Sequence, residues 1–179
     1  MIRSDLGLLV MLRYLDAKPK VGYFLGSAPG PGSPATLQWM RRPVREVMGR
    51  PIALRETATV GDAAATLFLE NVGSIFVTDE TGALAGIVSR KDLLKVSIGG
   101  GAAASVPLGM VMTRYPNLVA VGPDDPVFEA MRKMVVHEID GLPVVQREGS
   151  DPRARAEAVG RITKTTILKM LYEAASAEE

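Results

Sequence analysis

The chain has 179 residues, with 21 Lys and Arg against 20 Asp and Glu, and 47% of its residues are hydrophobic. This length suffices for one medium domain or two small ones whose core needs neither disulfide nor metal. With no Cys, a disulfide framework, a thiolate zinc site and a thiol nucleophile are excluded, and a single His excludes a polyhistidine metal site within one chain. A reducing compartment fits this composition.

The N-terminal part of the chain is basic. Residues 1–50 hold eight Lys or Arg and three acidic residues, a net +5, and since the whole chain carries +1 the remainder carries −4. This asymmetry favours an anionic partner at the N-terminal end, with an ordinary solvated face as the alternative. The apolar run Leu8–Leu12 is far shorter than the roughly 20 residues of a membrane span and has no signal-peptide pattern. We expect a cytoplasmic protein without a membrane helix.

Two soft stretches divide the chain, and the sequence between them is repeated after the second. Residues 26–36 contain only small residues, Gly and Pro, which indicates a linker, and residues 98–105 are similarly rich in Gly and Ala. Val72–Val77 corresponds to Ile139–Val144 at a shift of 67, and Gly86 corresponds to Gly160 at a shift of 74. The difference predicts a seven-residue insertion, which we place in a loop at residues 146–158.

Each unit is predicted to run strand, helix, strand, strand, helix. Apolar residues at helical spacing and short apolar runs predict these elements. The predicted helices cover residues 62–70, 90–97, 127–136 and 165–175, and the predicted strands after the first helix of each unit cover 74–77, 83–88, 142–145 and 159–163.

Two motifs are each preceded by an apolar strand: Gly86-Ile-Val-Ser-Arg-Lys-Asp92 and Gly160-Arg-Ile-Thr-Lys-Thr-Thr166. Together they resemble a tandem pair of cystathionine β-synthase (CBS) domains over about residues 44–175. The resemblance implies an α/β (α+β) fold of two βαββα repeats packed about a pseudo-twofold axis, with a nucleotide site in each cleft. We divide the chain into a partial winged-helix head (1–25), a Gly/Pro linker (26–36), the first CBS repeat (37–98), a linker (99–107) and the second repeat (108–175).

Residues 4–24 resemble the last helix and wing of a winged helix-turn-helix. With the linker and the CBS pair they make the chain similar to the catabolite-control transcriptional repressors of gluconeogenesis genes in Gram-positive bacteria. Only about 25 residues precede the linker, so the first helices are missing: either the start was assigned too late, or the protein no longer binds DNA by itself. Candidate DNA-phosphate contacts are Arg3, Arg13, Lys18 and Lys20. Alternatively, the head is an amphipathic helix for dimerisation or packing.

In the first repeat the resemblance implies that Ser89 and Asp92 bind the ribose and phosphates of an adenine nucleotide. A hydroxyl at a strand-to-helix junction, beside the positive end of a helix dipole, favours an anion, and a carboxylate in the first turn can accept hydrogen bonds from ribose hydroxyls. Gly86 would let the chain approach the ligand, and Arg90 or Lys91 would meet phosphate. The alternative is a helix cap, because Ser-x-x-Asp is also a capping-box variant.

The second repeat departs from this pattern. Thr163 keeps the hydroxyl, but Thr166 stands where the first repeat has its carboxylate, while Lys164 adds a phosphate-facing charge. We expect binding there to be weaker or differently selective, because a hydroxyl makes a neutral hydrogen bond worth about 1 kcal/mol.

An adenine ring needs an apolar slot with backbone donors and acceptors. We expect its walls in the strands after the long helices and at the start of each unit, although as core these residues need no ligand. Pro143, which has no N–H, fits a strand edge that faces the slot. His137 would touch a phosphate or a base, or cap a helix. The candidate wall residues are Ile52, Ser74, Ile75, Phe76, Thr113, Asn117, Gly141, Leu142, Pro143 and Val144.

No set of residues supplies a nucleophile with an acid/base pair, so we do not expect an enzyme. The sequence predicts a regulatory CBS pair that binds an adenine nucleotide (AMP, ADP or ATP), as the effector part of a homodimeric transcriptional repressor. S-adenosylmethionine shares the adenosine that these residues would recognise. The alternative is a ligand-independent dimerisation module or the regulatory subunit of another protein.

Overall fold

The structure, a computed structural model, describes residues 38–98, 100, 102–149 and 154–176. The predicted head and Gly/Pro linker, with Arg3, Arg13, Lys18 and Lys20, lie outside these residues. The strands are β1 (Ala53–Arg55), β2 (Ser74–Thr78), β3 (Leu84–Ser89), β4 (Thr113–Arg114), β5 (Gly141–Arg147) and β6 (Ala156–Thr163). The helices are α1 (Val60–Leu69), α2 (Arg90–Ile98), α3 (Val127–Val136) and α4 (Lys164–Ser176).

The predicted order of two βαββα units is confirmed, and the ends of the elements follow local chemistry. Thr59 caps α1, and α1 and α3 each end before a residue with positive φ, Asn71 (48°) and Glu138 (52°). The expected loop at residues 146–158 is shorter than predicted. The pairs Gln146–Glu157 and Arg147–Ala156 continue the β5–β6 ladder, so the insertion lengthens a hairpin.

Two sheets carry the repeats. The order β1–β2–β3–β4 forms one sheet, in which β1 and β2 are parallel and the other pairs antiparallel, and β5 and β6 form the second. The sheets contact each other through an apolar cluster in which Phe76 and Leu84 of the first sheet meet Val145 and Ala156 of the second. Helices cover the opposite face of each sheet, as alternation along the strands requires.

The segment that leads into each repeat packs on the other repeat. We call residues 39–49 the first leading segment and residues 106–113 the second. Val44 is fully buried in the core of the second repeat, and Leu108 is fully buried in the core of the first. The backbone bonds match: Val44 N–H donates to Asp125 at 2.9 Å, and Leu108 N–H donates to Ala58 at 2.8 Å. The two repeats are therefore related by a pseudo-twofold exchange of leading segments.

Candidate nucleotide-binding clefts

Three predicted residues of the first repeat meet at one end of its sheet. Ser74 at the start of β2 lies directly opposite Ser89 at the end of β3. The carbonyl of Ile52 accepts a hydrogen bond from Phe76 N–H at 2.9 Å, which places Ile52 beside β2 at the start of β1. Because β3 passes directly into α2 here, this end of the sheet also holds the helix N-terminus.

Ser89 and Asp92 form a capping box at the start of α2. Asp92 Oδ2 accepts from Ser89 N–H at 2.9 Å and from Ser89 Oγ at 2.6 Å, and Asp92 N–H donates to Ser89 Oγ at 3.3 Å. The other oxygen, Oδ1, lies 3.8 Å from Lys95 Nζ, and the side chain of Asp92 is 23% exposed. The cap therefore engages one carboxylate oxygen and leaves Oδ1 able to accept further hydrogen bonds.

The same box occurs at the start of α1, where no ligand was predicted. Asp62 Oδ2 accepts from Thr59 N–H at 2.9 Å and from Thr59 Oγ1 at 2.8 Å. These hydrogen bonds lower the pKa of Asp62 below its usual value. Since both helices use this cap, the box alone does not define a site. What distinguishes Ser89 and Asp92 is the sheet end at which they lie.

Two residues expected to serve the ligand also have a role in the fold. Arg90 Nε donates to the carbonyl of Val72 at 3.0 Å, which ties the start of α2 to the segment before β2. Gly86 faces the second leading segment: a Cβ there would lie 2.5 Å from the carbonyl oxygen of Thr113. Lys91 is exposed in the first turn of α2, as its predicted role requires.

Several predicted wall residues lie elsewhere. Ile75 faces the core beneath the helices of the first repeat, while Phe76 belongs to the cluster between the sheets. Leu142 and Val144 are buried in the core of the second repeat. Strand alternation explains the corrections for Ile75, Leu142 and Val144, which face the helices. Phe76 shares the face of Ser74 but lies further along β2, in the cluster between the sheets.

The start of the second unit also differs from prediction. Thr113 lies in β4, paired with Ile87 of the first repeat, and Asn117 donates its N–H to Arg114 in a turn, so neither is the counterpart of Ile52. Instead, Val121 bridges β5 in parallel at Val144. Val119 consequently takes the place of Ile52 beside the second sheet.

Pro143 is fully buried and lies inside the second sheet rather than at a bare edge. It pairs with Arg161 on one side, and its carbonyl accepts from Val121 N–H at 3.1 Å on the other. Because proline has no N–H, the bond that Phe76 donates to Ile52 in the first repeat has no counterpart here. The β1 equivalent is therefore reduced to a single bridge.

The predicted second site keeps the cap in a neutral form. Thr166 N–H donates to Thr163 Oγ1 at 3.3 Å, and the two Oγ1 atoms lie 3.2 Å apart. Gly141 lies opposite Thr163, so the hydroxyl and the start of β5 share one sheet end, as in the first repeat. Lys164 Nζ, expected to face phosphate, forms an exposed ion pair with Asp140 Oδ1 at 2.8 Å.

His137 follows the last residue of α3 and is exposed, with its N–H donating to the carbonyl of Lys133 at 3.0 Å. This position fits the alternative role of helix capping. A depression of about 200 Å³ lies at the opposite end of β1 and β2, away from the predicted clefts, and is lined by Arg55, Glu56, Thr57, Thr78, Asp79 and Glu80. Within the described ranges, no group of three or more potential ligands could hold a metal ion, and no helix is long and apolar enough to cross a bilayer.

One residue of the second cleft was missed. Arg161 lies two residues before Thr163 on β6, and adjacent side chains of a strand alternate, so the two share a face. The repeat alignment contained the signal, because Gly86 corresponds to Gly160 and the residues that follow are Ile87 and Arg161. An apolar residue of the first repeat is replaced by a cation in the second.

Comparison with known proteins identifies the class to which this architecture belongs. The CBS domain family matches residues 44–99 and 108–173. The chain belongs to the CBS domain family and contains a tandem CBS pair. It is 37% identical over 177 residues to the transcriptional repressor CcpN of Bacillus subtilis, across 99% of this chain and 81% of that protein. It is also 35% identical over 94 residues to the mitochondrial CBS domain-containing protein CBSX3 of Arabidopsis thaliana, of which it spans 46%.

Solved structures agree with this assignment. A putative acetoin utilization protein (AcuB) from Vibrio cholerae matches with a TM-score of 0.65 and 27% identity, over 76% of this chain and 95% of that one. The CBS domain pair of protein MJ0100, in complex with 5-methylthioadenosine and S-adenosyl-L-methionine, matches with a TM-score of 0.60 and 27% identity, over 74% of this chain and 97% of that one. The fold is thus that of a CBS pair, and at least one relative with this fold binds adenosine ligands.

Proposed function

We propose that this CBS pair senses an adenine nucleotide and is the effector part of a transcriptional repressor. The observation that carries the proposal is that four predicted residues converge at one sheet end: Ser89, Asp92, Ser74 and Ile52. There, Asp92 Oδ1 remains able to accept hydrogen bonds from ribose hydroxyls. The adenosine ligands of the MJ0100 pair and the full-length similarity to CcpN support it.

Regulation would act through the exchanged leading segments. The first of these precedes β1 and is packed in the core of the second repeat, so a ligand that shifts one repeat against the other also moves the chain that continues toward the N-terminus. Such coupling is typically about 1 to 3 kcal/mol. In this proposal the protein acts in the cytoplasm as a homodimer and catalyses no reaction. Where a complete winged helix holds them, four basic residues contact DNA: Arg3, Arg13, Lys18 and Lys20.

The test compares two caps of equal geometry. Asp92→Ala and Asp62→Ala each remove the N3 carboxylate of one capping box, so we expect both variants to lose similar stability without ligand. We expect about 1 mM AMP, ADP or ATP to raise the melting temperature of the wild type and of Asp62→Ala by several degrees, as a ligand at 100 times its Kd contributes about 2.7 kcal/mol. Asp92→Ala should show a clearly smaller shift, because its first cleft no longer binds the nucleotide.

S-adenosylmethionine in the same assay decides whether the ligand is a nucleotide or another adenosine derivative. Equal shifts in both variants, or none in the wild type, would contradict the proposal and favour the ligand-independent dimerisation module. Hydrolysis of ATP by the purified chain would instead indicate an enzyme.

A further inference from the structure

Arg161 faces the cleft side of the second sheet. Its neighbour Ile162 is buried in the helix-covered core with Leu142, so Arg161 must lie on the opposite face, with Pro143 directly across the ladder. Thr163 lies on this same face, about 7 Å further along the strand. The arginine and the hydroxyl that precedes α4 therefore lie on the same face of the second sheet.

Among the residues that the structure describes, none is an anionic partner of the Arg161 guanidinium. Its backbone exchanges two hydrogen bonds with Gly49, at 2.8 and 3.0 Å, and its side chain runs along that glycine, with Nε 3.7 Å from the position of a Cβ. The residue is half-buried, and no ion pair or side-chain hydrogen bond joins it to another residue in the described ranges. By contrast, Arg132 makes two hydrogen bonds, at 2.6 and 2.8 Å, with the carboxylate of Glu129.

The two clefts therefore differ in charge at two matching positions. The first has apolar Ile87 on β3 and a carboxylate, Asp92, in the first turn of the following helix. The second has Arg161 on β6 and neutral Thr166 in that turn. A half-buried guanidinium favours an oxyanion that can accept two of its N–H groups, and the N-terminus of α4 adds partial positive charge on the same side.

We propose that the second cleft is a phosphate-binding site in which Arg161 holds the phosphate group directly. It selects its ligand by anionic charge rather than by a ribose diol, whether the phosphate is free or belongs to a nucleotide. The proposal deepens the proposed function, on which it rests for the location of the cleft. The observation that supports this proposal is Arg161, whose side chain has no partner among the described residues.

The test uses inorganic pyrophosphate, which has no adenosine, on the full chain at constant ionic strength. We expect about 1 mM pyrophosphate to raise the melting temperature of the wild type and of Asp92→Ala by several degrees. Arg161→Met keeps the length of the side chain but removes its charge, and should bind pyrophosphate at least tenfold more weakly. Arg161→Lys should bind with intermediate affinity, because it keeps the charge but loses the planar fork. Arg147→Met, which removes an exposed arginine at the far end of β5, is the matched control and should behave as the wild type.

An equal shift in Arg161→Met and in the wild type, or no shift in the wild type, would overturn the proposal. If Arg161→Met is too unstable to assay, isothermal titration of Arg161→Lys decides, since wild-type affinity in that variant would contradict a bidentate contact. Adenosine separates the two proposals, because it has no phosphate. Its binding, compared between the wild type and Asp92→Ala, tests the first cleft alone. If adenosine does not bind, the pyrophosphate result for the second cleft still stands. Equal effects of AMP and pyrophosphate on the wild type, both lost in Arg161→Met, would support recognition of the phosphate wherever it is attached.

Discussion

Asp62 and Asp92 hold the same position in two nearly identical caps, and their surroundings separate them. Asp62 starts a helix beside the second leading segment, whereas Asp92 lies at the sheet end that also holds Ser74 and Ile52. A capping motif is compatible with both roles, since its geometry satisfies helix N–H groups whether or not a ligand is near. Residue type alone therefore does not decide function, and the position within the sheet supports the assignment.

Glu138 is the residue at which local preference is most clearly violated. It has a φ of 52° after α3, in the left-handed region that costs a side-chain-bearing residue about 1 to 2 kcal/mol. We expect Glu138→Gly to raise the free energy of unfolding by about 0.5 to 1 kcal/mol, after allowance for the greater freedom of glycine in the unfolded chain. Urea denaturation followed by the fluorescence of the single tryptophan, Trp39, which is buried in the core of the second repeat, measures this change.

The matched control for Glu138 is Asn71, which has the corresponding positive φ of 48° after α1. Asn tolerates this conformation, so Asn71→Gly should gain less stability than Glu138→Gly. A loss of stability in Glu138→Gly would show that the glutamate makes a compensating interaction.

Side-chain partners were the least predictable part of the site. The sequence placed Ser89, Asp92, Thr163 and Thr166 correctly at strand-to-helix junctions, because local pattern determines those junctions. It did not indicate the partner of Lys164, because Asp140 lies 24 positions earlier and meets Lys164 only when β5 and β6 pair. Contacts of this kind follow from tertiary packing, which periodicity does not encode.

At the level of elements, β3 approaches the second leading segment so closely that only glycine fits at residue 86. A Cβ would lie 2.5 Å from the carbonyl of Thr113 and 2.8 Å from Sδ of Met112. We expect Gly86→Ala to lower the free energy of unfolding by about 1 to 3 kcal/mol, because backbone must move to admit the methyl group. Gly73→Ala, with nothing within 4 Å of its Cβ, should change stability little.

Both glycine variants are compared by thermal unfolding of the full chain. An unchanged melting temperature for Gly86→Ala would mean that β4 separates from β3 at little cost. Gly160 is the counterpart of Gly86, as its Cβ would contact Met48 in the first leading segment. This close approach is thus a property of both repeats.

The elements themselves were largely predictable, and the exceptions have physical causes. Helix α3 was predicted at its observed bounds because its apolar residues recur at helical spacing. The wall at the start of the second unit was misplaced at Thr113 and Asn117, because β4 instead pairs with the first repeat and Pro143 limits the equivalent of β1 to one bridge. The exchange of leading segments was not predictable either, since the sequence does not show whether Val44 and Leu108 fill the core of their own repeat or of the other one.

At the scale of the whole molecule, the outer helices leave a large apolar surface. The two repeats expose apolar residues at corresponding positions, such as Phe68 on α1 (83% exposed) and Val135 on α3 (50% exposed). Further exposed apolar residues lie on α2 and α4. Several large apolar side chains exposed on outer helices favour a protein interface, and repeats related by a pseudo-twofold axis suit a self-complementary contact. The full set is Phe68, Leu69, Leu94, Ile98, Val135, Val136, Leu168, Leu171 and Tyr172.

We therefore expect the chain to form a homodimer through these helix faces. Phe68→Glu should weaken dimerisation at least tenfold without unfolding the chain, because this side chain contributes little to the core and a carboxylate is costly to bury at an interface. Sedimentation equilibrium at micromolar concentration measures the effect, with Glu80→Lys in the β2–β3 turn as the control. A wild-type chain that is monomeric, or a Phe68→Glu variant that dimerises as tightly as the wild type, would contradict this expectation.

The exchange of Val44 and Leu108 between the cores also determines what one repeat can do in isolation. A fragment that ends at the connecting segment would lack the residue that fills its own core, and would expose the leading segment meant for its neighbour. Two such fragments can complete each other, so a protease cut in this connection would leave a nicked but assembled protein. The intact connection also acts as a tether, which keeps the halves at an effective concentration of order millimolar and makes their association independent of dilution.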